Sequence, residues 1–279
     1  MLILFKLLSH CPLVLLHPLG WLGGWLAFLF SPVYRARFLA NARQAGYGFG
    51  AVHAAVGEGG KLVSELPRLW LGRSVPVAWE GEALIEAAHR QGRGIIFLTP
   101  HLGCFEVTAQ AYAARYGPEG RHITVLYRPS RKPALRALME RVRARDGQST
   151  APTTLAGVRQ LIKALSAGQA VGLLPDQVPP AGLGVWAAFF GRDAYTMTLS
   201  ARLARQSGAQ VLLAWGERLG WGRGYRIHLR APDGPLPADP AEAARQINRA
   251  MEALIRECPQ QYLWGYARYK TPATQGAAA

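Results

Sequence analysis

His101 and Glu106 stand five residues apart in the stretch GIIFLTPHLGCFEV, Gly94 to Val107, where a run of β-forming residues stops at Pro100. An imidazole beside a carboxylate is the base-and-acid half of a catalytic triad. The acid fixes the tautomer through one ring nitrogen, and the other nitrogen takes a proton from a hydroxyl. Five residues of regular helix turn through about 500°, which leaves two side chains about 140° apart. Direct contact therefore requires a bent segment, and Pro100 and Gly103 supply the means to bend it. Spacing alone favours the plainer reading of a buried histidine satisfied by a neighbouring acid. Cys104, between the two, would be a nucleophile only if His101 reached it as a base.

The elements that position this stretch alternate between helix and strand. Strands are expected at Val75 to Trp79, Gly94 to Leu98, and in HITVLY, AVGLLPDQ, AQVLLAWGER and YRIHLR. Helices are expected from about Val33 to Trp70, as a pair weakened by glycines, at Glu82 to Gln91, and in PALRALMERVRAR, TLAGVRQLIKALSAG and TMTLSARLARQSG. DPAEAARQINRAMEALIREC is a further helix, capped by Asp239 with Pro240 in its first turn. Strands separated by helices predict an α/β fold with a mainly parallel central sheet flanked by helices. In such folds side chains gather at the carboxyl ends of strands, which is where His101 falls.

The chain has 279 residues, 50% of them hydrophobic, enough to bury a full core. No Asp, Glu, Lys or Arg occurs in the 28 residues from Leu7 to Tyr34, a length in the membrane range. Pro12 and Pro18 interrupt it, so a kinked span and a re-entrant or interfacial hairpin both fit; a cleaved signal peptide lacks a small-residue cleavage site. The expected organisation is an N-terminal membrane anchor at 1–33, a catalytic domain at 34–270 and a disordered tail at 271–279. Arg35, Arg37 and Arg43 follow the segment and hold the remainder on the cytoplasmic side. Cys11, Cys104 and Cys258 show neither disulfide nor zinc spacing, so no metal is expected. The formal charge of +15 calls for an acidic partner.

The motifs arrive in an order that resembles a known family. TPHLGCFEV is similar to the H-x-x-x-x-D/E block of the glycerolipid and lysophospholipid acyltransferases, most closely their bacterial branch, the lipid A late acyltransferases. LYRPSRKPAL resembles that branch's Tyr-Arg-Pro block, LLPDQ its Asp-Gln block, FFGRDAYTMT its Phe-Phe-Gly block and QQYLWGYARYKTP its C-terminal Gln-Tyr-Leu-Trp block. Together they cover most of the chain beyond the apolar segment. Val178 and the two alanines before Phe189 depart from the pattern, which leaves acceptor and chain length open.

The resemblance implies a glycerolipid acyltransferase-like fold and direct transfer of an acyl chain from acyl carrier protein to a hydroxyl of a lipid A precursor at the inner membrane. No cofactor and no acyl-enzyme are required. His101 would be the base, Glu106 would orient it, and Cys104 would be a packing residue. Arg128 is assigned to developing oxyanion charge or to a phosphate, against the plain reading of a surface arginine. Asp176 is assigned to holding that arginine or binding the acceptor, with Gln177 beside it, against the plain reading of a loop acid. The run Arg131, Lys132, Arg136, Arg141, Arg143 and Arg145 suits an acidic carrier protein or a phosphorylated glycolipid, although such a run is usually a solvated helix face. The aromatic stretches VWAAFFG and YLWGY could line an acyl channel, although core packing is their commoner fate. The nearest alternative is acyl-CoA-dependent acylation of another glycolipid or phospholipid. A membrane-tethered nucleic-acid binder would also account for the charge, but no RNP-like, zinc or helix-turn-helix signature occurs. A metallohydrolase lacks its HExxH.

Overall fold

The computed structural model describes residues 2–127 and 146–273. Seven strands form one sheet: β1 (Val77–Glu80), β2 (Ile95–Leu98), β3 (Ile123–Tyr127), β4 (Gln148–Pro152), β5 (Ala170–Leu173), β8 (Gln210–Arg218) and β9 (Tyr225–Arg230). Their order is β1-β9-β8-β2-β5-β3-β4. Every pairing is parallel except β8 with β9, so β9 and β1 run against the other five. The mainly parallel expectation holds, and the exception arises where a short turn joins β8 to β9. The strand β4 was not expected. Its small polar residues carry little β-signal, and it forms by pairing Ile123 to Gln148 and onward along β3.

Helices cover both faces. On one lie α3 (Pro32–Gln44), α9 (Leu155–Ser166), α10 (Leu199–Ser207) and α11 (Pro240–Glu257); on the other lie α7 (Ala83–Arg90) and α8 (Phe105–Tyr116). The strand β2 supplies both cores, Ile96 and Leu98 to the first and Ile95 and Phe97 to the second, as the two-residue strand period requires. Asp239 caps α11 by accepting from Ala241 and Glu242 amides, with Pro240 in its first turn. Phe189 and Phe190 close a separate hairpin of β6 (Gly184–Phe189) and β7 (Arg192–Met197), in which Phe190 and Gly191 both take positive φ. Thr196 and Met197, expected in a helix, therefore belong to a strand.

The N-terminal third is helical: α1 (Leu2–His10), α2 (Leu13–Phe30), α3, α4 (Phe49–Val52), α5 (Ala54–Ser64) and α6 (Leu66–Leu71). Pro12 separates α1 from α2, whereas Pro18 is carried inside α2. The glycines that weaken the sequence case for helix let α2 and α5 touch: a Cβ at Gly60 would fall on the Gly20 carbonyl oxygen. At the same contact His17 of α2 meets Glu65 at 3.3 Å. Glu65 is fully buried and accepts from Arg218 Nε (2.8 Å) and Nη2 (2.7 Å) and from the Tyr225 hydroxyl (2.9 Å). Burial alone would raise its pKa, but the Arg218 charge, the close His17 imidazole and the Arg218 hydrogen bonds overcome that and lower it from 4.5 to about 2.

Past β2 the chain turns at Gly103, whose φ is +58° and where a Cβ would strike the Gly216 carbonyl oxygen. The Gly103 amide donates to the Gln261 carbonyl (3.0 Å) and the Cys104 amide to that of Gly216 (2.7 Å). The bend is thus clamped between β8 and the C-terminal segment.

Two outcomes follow for stability. Gly103→Ala is expected to cost about 2 kcal/mol or more in denaturant unfolding, since it adds both backbone strain and a backbone collision. Glu65→Gln is expected to cost about 3–5 kcal/mol by leaving Arg218 buried with a weakened partner. Because the folded pKa of Glu65 lies below its unfolded value, its contribution is present above 4.5 and is lost as pH falls toward about 2. Unfolding measured against pH should therefore show a shallower acid slope in Glu65→Gln than in the wild type.

Candidate active site

β2 and β5 are adjacent and parallel, with Leu98 paired to Leu173. His101 lies three residues past Leu98 and Asp176 three residues past Leu173, so the register delivers both side chains to the same end of the sheet. The contact is two-pronged. The His101 backbone amide donates to Asp176 Oδ2 at 2.9 Å, and His101 Nδ1 lies 2.8 Å from Oδ1. An ionised carboxylate can only accept, so Nδ1 carries the hydrogen. Nε2, the nitrogen that could accept a proton, has no protein partner among the described residues.

Asp176 is completely buried. Burial pushes its pKa up, but the imidazole, the two hydrogen bonds from His101 and the charge of Arg268 outweigh this and hold it below the usual carboxylate range. The Tyr262 hydroxyl is the third donor to the carboxylate, reaching Oδ2 at 3.3 Å. Arg268, also buried, is fixed by the Tyr195 carbonyl (2.8 Å), Thr196 Oγ1 (2.6 Å) and Asn248 Oδ1 (3.3 Å).

Two rings confine the imidazole. Tyr266 stacks on it with centroids 4.7 Å apart and an interplanar angle of 17°, and Phe105 meets it edge-on at 5.2 Å. The Leu263 amide donates to the His101 carbonyl at 3.0 Å, and the Tyr266 hydroxyl accepts from the Val178 amide at 3.1 Å. Thus the segment 261–268 holds the bend, the base, its acid and the Asp176 loop together. By sequence, YLWGY in this block suggests acyl-channel lining or core packing, and nothing local to it places Tyr262, Tyr266 or Arg268 beside His101 and Asp176. The available signal was an unusual density of tyrosines around one arginine directly after an amphipathic helix.

Glu106 occupies a different place from the one its spacing suggests. It sits in the first turn of α8, half-buried, and its Oε2 accepts from the Trp70 indole at 3.3 Å. The acid that bonds the imidazole is Asp176. The reason is geometric: α8 starts at Phe105 and puts Glu106 in its first turn against Trp70, while the adjacent parallel β5 brings the Asp176 loop to His101. A carboxylate in a first helical turn is favourably placed by the helix dipole.

Gln177 is half-buried, and its amide closes a turn on the Leu174 carbonyl at 3.2 Å. Arg128, Arg131, Lys132, Arg136, Arg141, Arg143 and Arg145 lie outside the described residues. Cys104 is fully buried, and burial, followed by the charge of Glu65, pushes its thiol well above the usual range, which leaves it a packing group. Phe189, Phe190, Tyr262 and Trp264 belong to the main core cluster, while Trp186 is exposed. Among the described residues no group of three or more His, Cys, Asp and Glu side chains could hold a metal ion.

A base held by a buried carboxylate at a strand end suits proton abstraction from a hydroxyl, and comparison with known proteins gives that chemistry a family. Residues 68–271 match the family model described as bacterial lipid A biosynthesis acyltransferase. The chain is 31% identical over 189 residues to a lipid A biosynthesis lauroyltransferase of Escherichia coli strain K12, covering 67% of this chain and 60% of that protein. It is 27% identical over 193 residues to a palmitoleoyltransferase of the same strain, covering 69% and 61%, and 26% identical over 196 residues to its myristoyltransferase, covering 70% and 59%. The matches thus span about 60% of the length of these relatives. A family match that includes the His101 bend, the Asp176 loop and the tyrosine-rich segment places this chain in the bacterial lipid A biosynthesis acyltransferase family.

Proposed function

We propose that this protein is a membrane-associated O-acyltransferase that moves a fatty acyl chain from an acyl carrier protein thioester to a hydroxyl of a lipid A precursor, on the cytoplasmic side of the inner membrane. The observation that carries the reading is the buried His101–Asp176 pair at the carboxyl end of β2, in a chain of that family.

In this reading Nε2 of His101 takes the proton of the acceptor hydroxyl as its oxygen attacks the thioester carbonyl. Asp176 holds the ring in the tautomer that leaves Nε2 open and stabilises the imidazolium as it forms. The tetrahedral oxyanion collapses, the C–S bond breaks, and the imidazolium returns its proton to the departing thiolate. Ester and carrier thiol are the products, and no acyl-enzyme intervenes. Glu106 is the second carboxylate of the site, half-buried five residues on, and acts on the imidazolium charge or the incoming hydroxyl. Arg128 steadies oxyanion or phosphate charge, Gln177 supports the acceptor beside Asp176, and the basic run from Arg131 to Arg145 meets the acidic carrier or the phosphates of the glycolipid.

The test is transfer of a labelled acyl chain, offered on acyl carrier protein or on acyl-CoA, to a tetraacylated lipid A precursor. His101→Ala is expected to lower kcat by roughly a thousandfold or more. Asp176→Asn is expected to lower it by about 10²–10⁴-fold with little change in KM, because the wrong tautomer is then favoured. Glu106→Ala is expected to lose most transfer as well. Full transfer by His101→Ala would refute the site, and transfer from acyl-CoA alone would replace the proposed donor.

Cys104→Ala is expected to leave transfer essentially intact in the same assay. Near-total loss in a folded variant would instead bring back a covalent acyl-enzyme.

A further inference from the structure

The apolar helix α2 has two unlike faces. Leu13, Leu16, His17, Gly20, Gly24 and Phe28 are buried, whereas Leu15, Leu19, Leu22, Leu26 and Leu29 are 45–62% exposed. Their spacing of four, three, four and three residues makes the exposed set a single stripe along the helix. The buried face stays against the domain from end to end: Gly20 abuts Gly60, Lys61 and Ser64, Gly24 abuts Val56 and Gly60, and His17 meets Glu65.

A second apolar feature adjoins the helix. The turn Gly220–Gly222 between β8 and β9 packs on the first turn of α2, where a Cβ on Gly222 would strike the Val14 amide nitrogen. At its centre Trp221 is held at φ +60°, uncommon for a residue this bulky, and is 88% exposed. Arg223, exposed, donates to the Gly220 carbonyl at this end of the stripe, and Arg35 donates to the Leu29 carbonyl at the other.

We propose that the leucine stripe of α2 and Trp221 together form one bilayer-docking surface, and that α2 lies in the plane of the membrane instead of crossing it. Crossing would carry α5 and its neighbours into the hydrocarbon, including Glu58, Lys61, Glu65 and Arg218, at several kcal/mol per charge. Lying flat buries only the stripe and leaves every ion pair in the protein. The occupant follows from the surface: an unbroken leucine stripe, an indole suited to the headgroup level, and arginines at both ends that match anionic lipid. The choice of a bilayer rests on the proposed lipid-acylating function.

The experiment uses the full chain with vesicles of phosphatidylethanolamine and phosphatidylglycerol. In a Cys11→Ser background, spin labels on Leu15→Cys, Leu22→Cys and Leu29→Cys are expected to report one shared, shallow depth. Depths that run from one interface through the bilayer centre would overturn the proposal. Trp221→Ser, folded by circular dichroism, is expected to weaken vesicle binding about tenfold and Trp221→Phe to restore most of it; unchanged binding by Trp221→Ser would also overturn it. So would a dimer that shields the three labels and leaves vesicles unbound, since a second copy would then own the stripe. Acyl transfer to detergent-dispersed acceptor is scored separately, so that a chain that docks as expected but transfers nothing fails only the proposed function.

Discussion

A carboxylate sealed from water has to be surrounded by donors, and Asp176 imposes that requirement on the whole carboxyl end of β2 and β5. It takes the His101 amide, the His101 imidazole and the Tyr262 hydroxyl, with the charge of Arg268 behind them. Two of these donors belong to His101 and the third to Tyr262, so satisfying one oxygen pair fixes the β2 loop, the β5 loop and the C-terminal segment relative to one another. The same arrangement that meets the cost of burial also sets the tautomer of His101.

The C-terminal segment does most of the joining. Gln261 grips the Gly103 amide through its carbonyl and the Arg218 amide through its side chain, Leu263 holds the His101 carbonyl, and Tyr266 lies on the imidazole. Arg268 fastens the segment to β7 and α11 through Tyr195, Thr196 and Asn248. Of the two aromatic stretches, Phe189, Phe190, Tyr262 and Trp264 pack in the core and Tyr266 lies on the imidazole, while Trp186 is exposed.

A second buried charge cluster links this end of the sheet to the apolar helix. Arg218 ends β8 two residues beyond the Gly216 carbonyl that anchors Cys104, and its guanidinium is neutralised by Glu65, which His17 of α2 also contacts. The apolar helix is therefore part of the same packed body as the site and not a separate tether. Glycines at 20, 24 and 60 make this possible, because only their missing side chains let the backbones approach.

Much of this was readable from residue order. Local hydrophobic periodicity located β1, β2, β3, β5, β8, β9 and most helices, Asp239 and Pro240 marked the start of α11, and His101 and Asp176 could both be placed at strand ends. Pro100 and Gly103 also marked where the segment could bend. Residue order could not show that β2 and β5 are neighbours, because strand order is decided by which faces pack, not by anything local to either strand. That is why Glu106, near in sequence, seemed the partner of His101, while Asp176, 75 residues away, accepts the imidazole hydrogen bond. Local composition likewise marked α2 as long and apolar enough for a membrane. Only its packing against α5, which turns one face inward and leaves one stripe outside, decided which of its residues any membrane can meet.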